Sequence, residues 1–229
     1  MDIKILYEDN HLLVVVKPPD MPVQADISGA LDLLTYLKQD LKVRYSKPGN
    51  VFLGLVHRLD RPVGGAMVFA KTSKAASRLS EQIRNREMGK IYLCVVQGVP
   101  EPLKGSLTDY LIKDRKNNIV SVVESETPDA KKAVLEYEVL AQCQGLSLVK
   151  INLITGRSHQ IRVQMSQNGT PLVGDSKYGS KAGTGEMLPL LRHGFALWSN
   201  KIEIEHPTTK ERMLFTSSPP SSFPWNLFS

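Results

Sequence analysis

Short apolar runs rich in β-branched residues recur along the chain, each closed within a few positions by Gly, Pro, Asn or Asp. Such runs predict strands joined by tight turns and leave little room for a helical bundle. Residues 3–7 and 11–16 read as the first pair, with Glu8-Asp9-Asn10 between them. Residues 52–55 and 65–71, 90–96, and the segments 132–142 and 146–154 around Gly145 read as further strands. Residues 105–123 read as a hairpin or irregular excursion with the basic stretch Lys113-Asp114-Arg115-Lys116-Asn117-Asn118 at its tip. Strands at 193–199, 201–206 and 211–216 complete the set.

Helical spacing is confined to three places. Leu31, Leu34, Leu37, Lys38 and Leu41 give a stripe over 30–43. A helix over 73–86 follows, capped by Thr72 or Ser73, with Ala76, Leu79 and Ile83 inward. A third starts near Ser158 and stops at Gly169-Thr170-Pro171. Residues 180–187, bearing Gly and Ser, read as a mobile segment, and the aromatics of the tail are expected to pack without regular structure. With strands outnumbering helices, the expected fold is α+β: one domain over residues 1–229, with a mainly antiparallel, mixed β-sheet flanked by helices and loops.

The totals set the class of molecule. A hydrophobic content of 41% with 23% charged residues is that of a soluble globular protein. A net charge of +6 favours a polyanionic partner. Cys94 and Cys143 lie far apart in apolar surroundings and form no zinc pattern, so buried thiols in a reducing cytoplasm are expected. No signal-peptide pattern opens the chain, and no apolar run is long enough to span a bilayer.

One stretch carries chemistry: Val56-His57-Arg58-Leu59-Asp60-Arg61-Pro62-Val63-Gly64-Gly65. It sets the carboxylate of Asp60 between two arginines and turns the chain with Pro62 and a Gly pair between two strands. Such a loop is a natural place for a reactive group, and equally for a solvated surface turn.

The pattern of this stretch, His-Arg-Leu-Asp followed by a glycine turn and an apolar strand ending in Ala70-Lys71, closely resembles the catalytic motif of the RluA-type pseudouridine synthases. A second segment, Gly156-Arg157-Ser158-His159-Gln160-Ile161-Arg162-Val163 through Gly174-Asp175-Ser176-Lys177-Tyr178-Gly179, is similar to that family's other signature. Val16-Lys17-Pro18-Pro19, Lys90-Ile91-Tyr92-Leu93 and His206-Pro207 also fit, so the resemblance spans nearly the whole chain.

The resemblance implies an isomerase acting on uridine in ribosomal or transfer RNA. The uracil N1–C1′ bond breaks, C5 joins C1′, and the C5 proton leaves, with no redox step, metal or organic cofactor. Asp60 is then the catalytic carboxylate. Attack at C1′, attack at C6 and a glycal route all remain open. Arg162 stands where the family places its active-site arginine and would hold Asp60 ionised and oriented; Arg157 is the rival for that role. Tyr92, which alone reads as a core residue of a strand, resembles the family's active-site tyrosine and would bear on the flipped base. His57, Arg58, Arg61, Arg157, His159 and Gln160 are expected to brace these groups or contact RNA. Asp175 reads as a local turn former. A paired uridine would have to be flipped out, and lysines and arginines would supply salt-sensitive affinity.

The sequence departs from the family in three places. Gly64 stands where Ser is common, so a hydroxyl contact is lost but a permissive turn is kept. Arg192-His193-Gly194-Phe195-Ala196-Leu197 replaces the usual Leu-His-Ala strand. Many members carry an N-terminal S4-like domain; here target selection, by a protein expected to be a monomer, falls to the catalytic domain and its loops. Two rival classes are a non-catalytic RNA-binding factor on the same scaffold and a carboxylate-based nucleoside or glycoside hydrolase. The second would release free uracil, whereas isomerisation releases none.

Overall fold

The computed structural model describes residues 2–179 and 194–228. They form eleven strands and three α-helices in two compact units, residues 1–89 with 199–218, and residues 90–198 with 219–229. The α+β class and the mainly antiparallel pairing expected from the sequence are what is found.

In the first unit, β1 (Ile5–Glu8) pairs antiparallel with β2 (Leu12–Lys17), and β2 with β4 (Gly64–Ala70). The two-residue β3 (Gly54–Leu55) also joins β4. β10 (Leu197–Glu205) pairs with β11 (Arg212–Thr216), and its residues 199–205 belong to this unit. Where the sequence suggested two strands at 193–199 and 201–206, a single strand runs through Asn200 and Lys201, because nothing there breaks extended backbone; residue 193 lies outside the described residues. The core gathers Leu12, Val14, Ala66, Val68, Ile202 and Phe215 with Ala75 and Leu79. The last two come from α2 (Ser73–Arg84), capped by Thr72 through Ala75 N–H. Ala76 and Ile83 pack against the same core as expected, and Gln82 is buried beside them, its amide bridging the Glu205 backbone. Arg78, on the same helix, donates to the Pro207 carbonyl.

α1 (Leu33–Arg44) corrects the expected stripe. Leu33, Leu37 and Leu41 are the buried set, while Leu31 lies outside the helix and is exposed. Asp32 caps the helix by accepting Thr35 N–H at 3.0 Å. Buried His206 ties the turn after β10 to the turn after β1. Its Nδ1 accepts Thr209 N–H at 2.9 Å, so its Nε2 carries the proton that faces Asp9 Oδ2 at 2.9 Å.

The second unit is an antiparallel run in the order β5, β9, β8, β6, β7. These strands are β5 (Gly89–Gln97), β6 (Lys104–Asp114), β7 (Ile119–Val123), β8 (Lys131–Cys143) and β9 (Leu146–Leu153). α3 (Gln160–Gln167) packs Val163 against Leu111, Val120 and Ala133. Cys94, Val95 and Val96 are all wholly buried, so the middle of β5 is covered on both faces, as its two-phase apolar pattern predicts. The aromatic tail does take regular form, a 3-10 turn at Trp225–Phe228, and packs on the cluster around Val95. The segment 180–187 falls outside the described residues. Cys94 is buried and Cys143 half-buried, both free; burial pushes the Cys94 thiol up.

Candidate active-site elements

The Asp60 loop belongs to the first unit. Asp60 is half-buried and its carbonyl accepts Val63 N–H at 3.0 Å, closing a four-residue turn through Arg61 and Pro62. Leu59 and Val63 on either side are buried, while Arg58 and Arg61 are exposed. The alternation anchors the loop by its apolar residues.

The main brace is Lys17, which the sequence showed only as part of a proline loop. Lys17 sits at the end of β2 opposite Gly65 of β4 and is wholly buried. Its Nζ donates to the carbonyls of Pro18, Arg61 and Val63 at 2.8, 2.9 and 2.8 Å. Burial pushes its amine down to about 7, while Asp20 and Asp60 act in the opposite direction. Three carbonyls match the three N–H bonds of an ammonium, one more than a neutral amine offers, so the hydrogen bonds favour the charged form.

Gly65 closes the loop from the other side. Its φ is +117°, and a Cβ there would stand 2.3 Å from the Ser199 carbonyl oxygen. Only glycine fits that backbone and that approach. His57 Nε2 accepts Val68 N–H at 3.1 Å, so the ring braces β4. Arg61 donates to the Asp20 carbonyl at 3.0 Å and leans towards Asp26, tying the loop to the proline-rich segment.

Tyr92 and Arg162 belong to the second unit. Tyr92 lies on β5 opposite Ile151 and is 7% exposed. Lys90, two residues before it, shares its face of the strand, and burial lowers that amine from its ordinary value. Arg162 is the third residue of α3 and is equally buried, which removes the reading of it as a solvated helix residue.

The carboxylate found on Arg162 within this unit is Asp175. Nε meets Oδ2 at 2.6 Å and Nη2 meets Oδ1 at 2.7 Å, a bidentate fork. The guanidinium lies over Phe195 at 4.0 Å and Tyr178 at 4.9 Å from the ring centroids. Asp175 also does what its Gly-Asp turn suggested, accepting Lys177 and Tyr178 N–H at 3.0 and 3.1 Å. Its second task was not readable from the sequence, because twelve intervening residues hide the pairing.

The remaining candidates hold the entry to α3. His159 takes a left-handed conformation, φ +52°, just before the helix, and its Nδ1 lies 2.6 Å from Tyr178 Oη. Gln160 is buried, accepting Arg157 N–H at 3.0 Å and donating to the Val134 carbonyl at 3.1 Å. Arg157 itself is exposed and donates to the Lys132 carbonyl. Among the described residues no His, Cys, Asp and Glu side chains cluster as metal ligands, and no helix is long and apolar enough to cross a membrane.

Comparison with known proteins agrees with this arrangement of motifs. Residues 11–167 match the family model described as RNA pseudouridylate synthase. The chain is 33% identical over 213 residues to the uncharacterized RNA pseudouridine synthase YhcT of Bacillus subtilis (strain 168), covering 92% of this chain and 66% of that protein. It is 34% identical over 241 residues to ribosomal large subunit pseudouridine synthase D of Pseudomonas aeruginosa, covering 99% and 71%. The chain thus spans about two thirds of the length of the curated relatives it matches. Among solved structures, human RNA pseudouridylate synthase domain containing 4 superposes with a TM-score of 0.78 at 25% identity, over 95% of this chain and 88% of that one. The family match covers more than half of the chain, and on that ground the chain belongs to the RNA pseudouridylate synthase family of enzymes.

Proposed function

We propose that this protein isomerises specific uridines of RNA to pseudouridine, with Asp60 as the catalytic carboxylate. The observation that carries this reading is the Asp60 turn. A half-buried carboxylate inside the family's matched span is held on a backbone pinned by Lys17. Such pinning suits a group that must meet one carbon of a flipped nucleotide, where misplacement is costly. Tyr92 bears on the base and Arg162 supplies positive charge, each from a buried position on a regular element. His57, Arg58, Arg61, Arg157, His159 and Gln160 brace these groups or meet RNA. Residues 1–229 act together as the catalytic domain, as a monomer in the cytoplasm, without metal or nucleotide cofactor. Relatives named for the large ribosomal subunit favour ribosomal RNA as the target, with transfer RNA as the second class to test.

The test maps pseudouridine across total ribosomal and transfer RNA from cells lacking the protein, complemented with wild type or Asp60→Ala. A site lost in the deletion and restored by wild type alone supports the reading. Equal restoration by Asp60→Ala would sink the role of Asp60. Free uracil in place of pseudouridine would identify a hydrolase.

A further inference from the structure

We propose that Tyr178 is a positioning residue that couples RNA docking on the β6–β7 hairpin to the orientation of Arg162. The inference rests on the functional reading above and concerns how substrate engagement reaches a buried side chain.

The hairpin projects three exposed cations, Lys113, Arg115 and Lys116, around a tip shaped by Asp114, whose carboxylate accepts Lys116 and Asn117 N–H. Its return side is held by two consecutive residues. Lys177 Nζ donates to the Asn118 carbonyl at 2.9 Å, and Tyr178 Oη accepts Val120 N–H at 2.9 Å. The backbone N–H groups of the same two residues both bind Asp175 Oδ1. That oxygen also receives Arg162 Nη2, and the Tyr178 ring lies beneath the guanidinium. Tyr178 Oη in turn meets His159, the residue in strained left-handed backbone at the head of the Arg162 helix. A displacement of the return strand therefore reaches Arg162 by two routes, through the Asp175 fork and through the start of α3. Tyr178 lies on both routes, and Lys177 shares the first of them. A phosphate backbone drawn to the three cations loads the hairpin at its tip, and the load falls on this residue.

Tyr178→Phe deletes the hydroxyl bonds and keeps the ring. Tritium release from total ribosomal and transfer RNA labelled at uridine C5, prepared from cells lacking the protein, gives kcat and KM. The tip variant Lys113→Ala/Arg115→Ala/Lys116→Ala is expected to raise KM and lower kcat. Tyr178→Phe is expected to lower kcat about tenfold while KM stays within about twofold. The combined variant should keep the KM rise and lose no more kcat than Tyr178→Phe alone. Multiplying kcat losses, or wild-type kcat in Tyr178→Phe, would overturn the coupling while wild-type turnover leaves the functional reading intact. If Tyr178→Phe does not fold, Lys177→Met, which releases Asn118, takes its place under the same two criteria. Wild-type protein without turnover on either RNA class overturns the functional reading and the coupling with it.

Discussion

Lys17 donates its buried amine to the Val63 carbonyl at 2.8 Å across 46 residues of sequence, so the loop that carries Asp60 is fastened to the end of a core strand. Replacing Lys17 by Met leaves three carbonyls without their donor. Each buried unsatisfied group costs about 1–3 kcal/mol, part of which is offset by no longer burying a cation. Lys17→Met is expected to lower stability by about 2 kcal/mol in chemical denaturation and to reduce turnover further than that loss explains.

The same group sets a pH dependence. Its amine lies near 7 in the folded chain, below the ordinary 10.5, chiefly through burial. Between those values the unfolded chain holds the proton more firmly, so folding stability contributed by this group rises with pH across that window. The stability of wild type relative to Lys17→Met is expected to grow between pH 6.5 and pH 9, values chosen to bracket roughly the lower part of the window. A difference that stays flat or shrinks would place the folded amine at its ordinary value.

Gly65→Ala meets two obstacles at once, a φ of +117° and a Cβ 2.3 Å from the Ser199 carbonyl. The strand must shift at the residue opposite Lys17. A loss of about 3 kcal/mol or more is expected in thermal or chemical unfolding. A variant as stable as wild type would mean that β4 can move away from Ser199 at little cost.

Asp175→Asn keeps shape and removes the charge paired with Arg162. Weakening a buried ion pair is destabilising by up to about 3–5 kcal/mol, so the variant should unfold earlier and turn over more slowly. Arg162→Lys should fare no better, because a point ammonium cannot make the fork to both oxygens. Turnover of Asp175→Asn at the wild-type rate would exclude a positioning role for this carboxylate.

Salt should separate affinity from chemistry. RNA binding is expected to weaken steeply as salt rises, and the three-residue tip variant should flatten the slope of log K against log salt by about two to three. An unchanged slope would show that the hairpin cations do not meet phosphate.

The strands were legible because each apolar run ends in residues that cannot continue it, as at Pro18 and Gly145. At Asn200 and Lys201 the expected break did not occur, because Asn there takes extended backbone within one strand. The α1 stripe was read correctly at Leu37 and Leu41 and missed at its start, where Leu33 is buried and Leu31 precedes the helix; Asp32, which caps the helix, was the better guide there. In the site, the motif residues were visible as types and spacings. Their supports were not, because the register that sets Lys17 opposite Gly65 and the fold-back that sets Asp175 on Arg162 are tertiary facts. Asp175 illustrates the difference: its local turn was readable from Gly-Asp, its ion pair was not.

The three carbonyls around Lys17 make a coordination shell of the kind backbone loops present to a dissolved metal ion, here filled by an amine that is covalently part of the chain. A group of that sort has no off-rate and no competing ion. The geometry of the Asp60 turn should therefore be indifferent to which mono- or divalent cations the medium contains, and any ionic response of the enzyme belongs to the RNA.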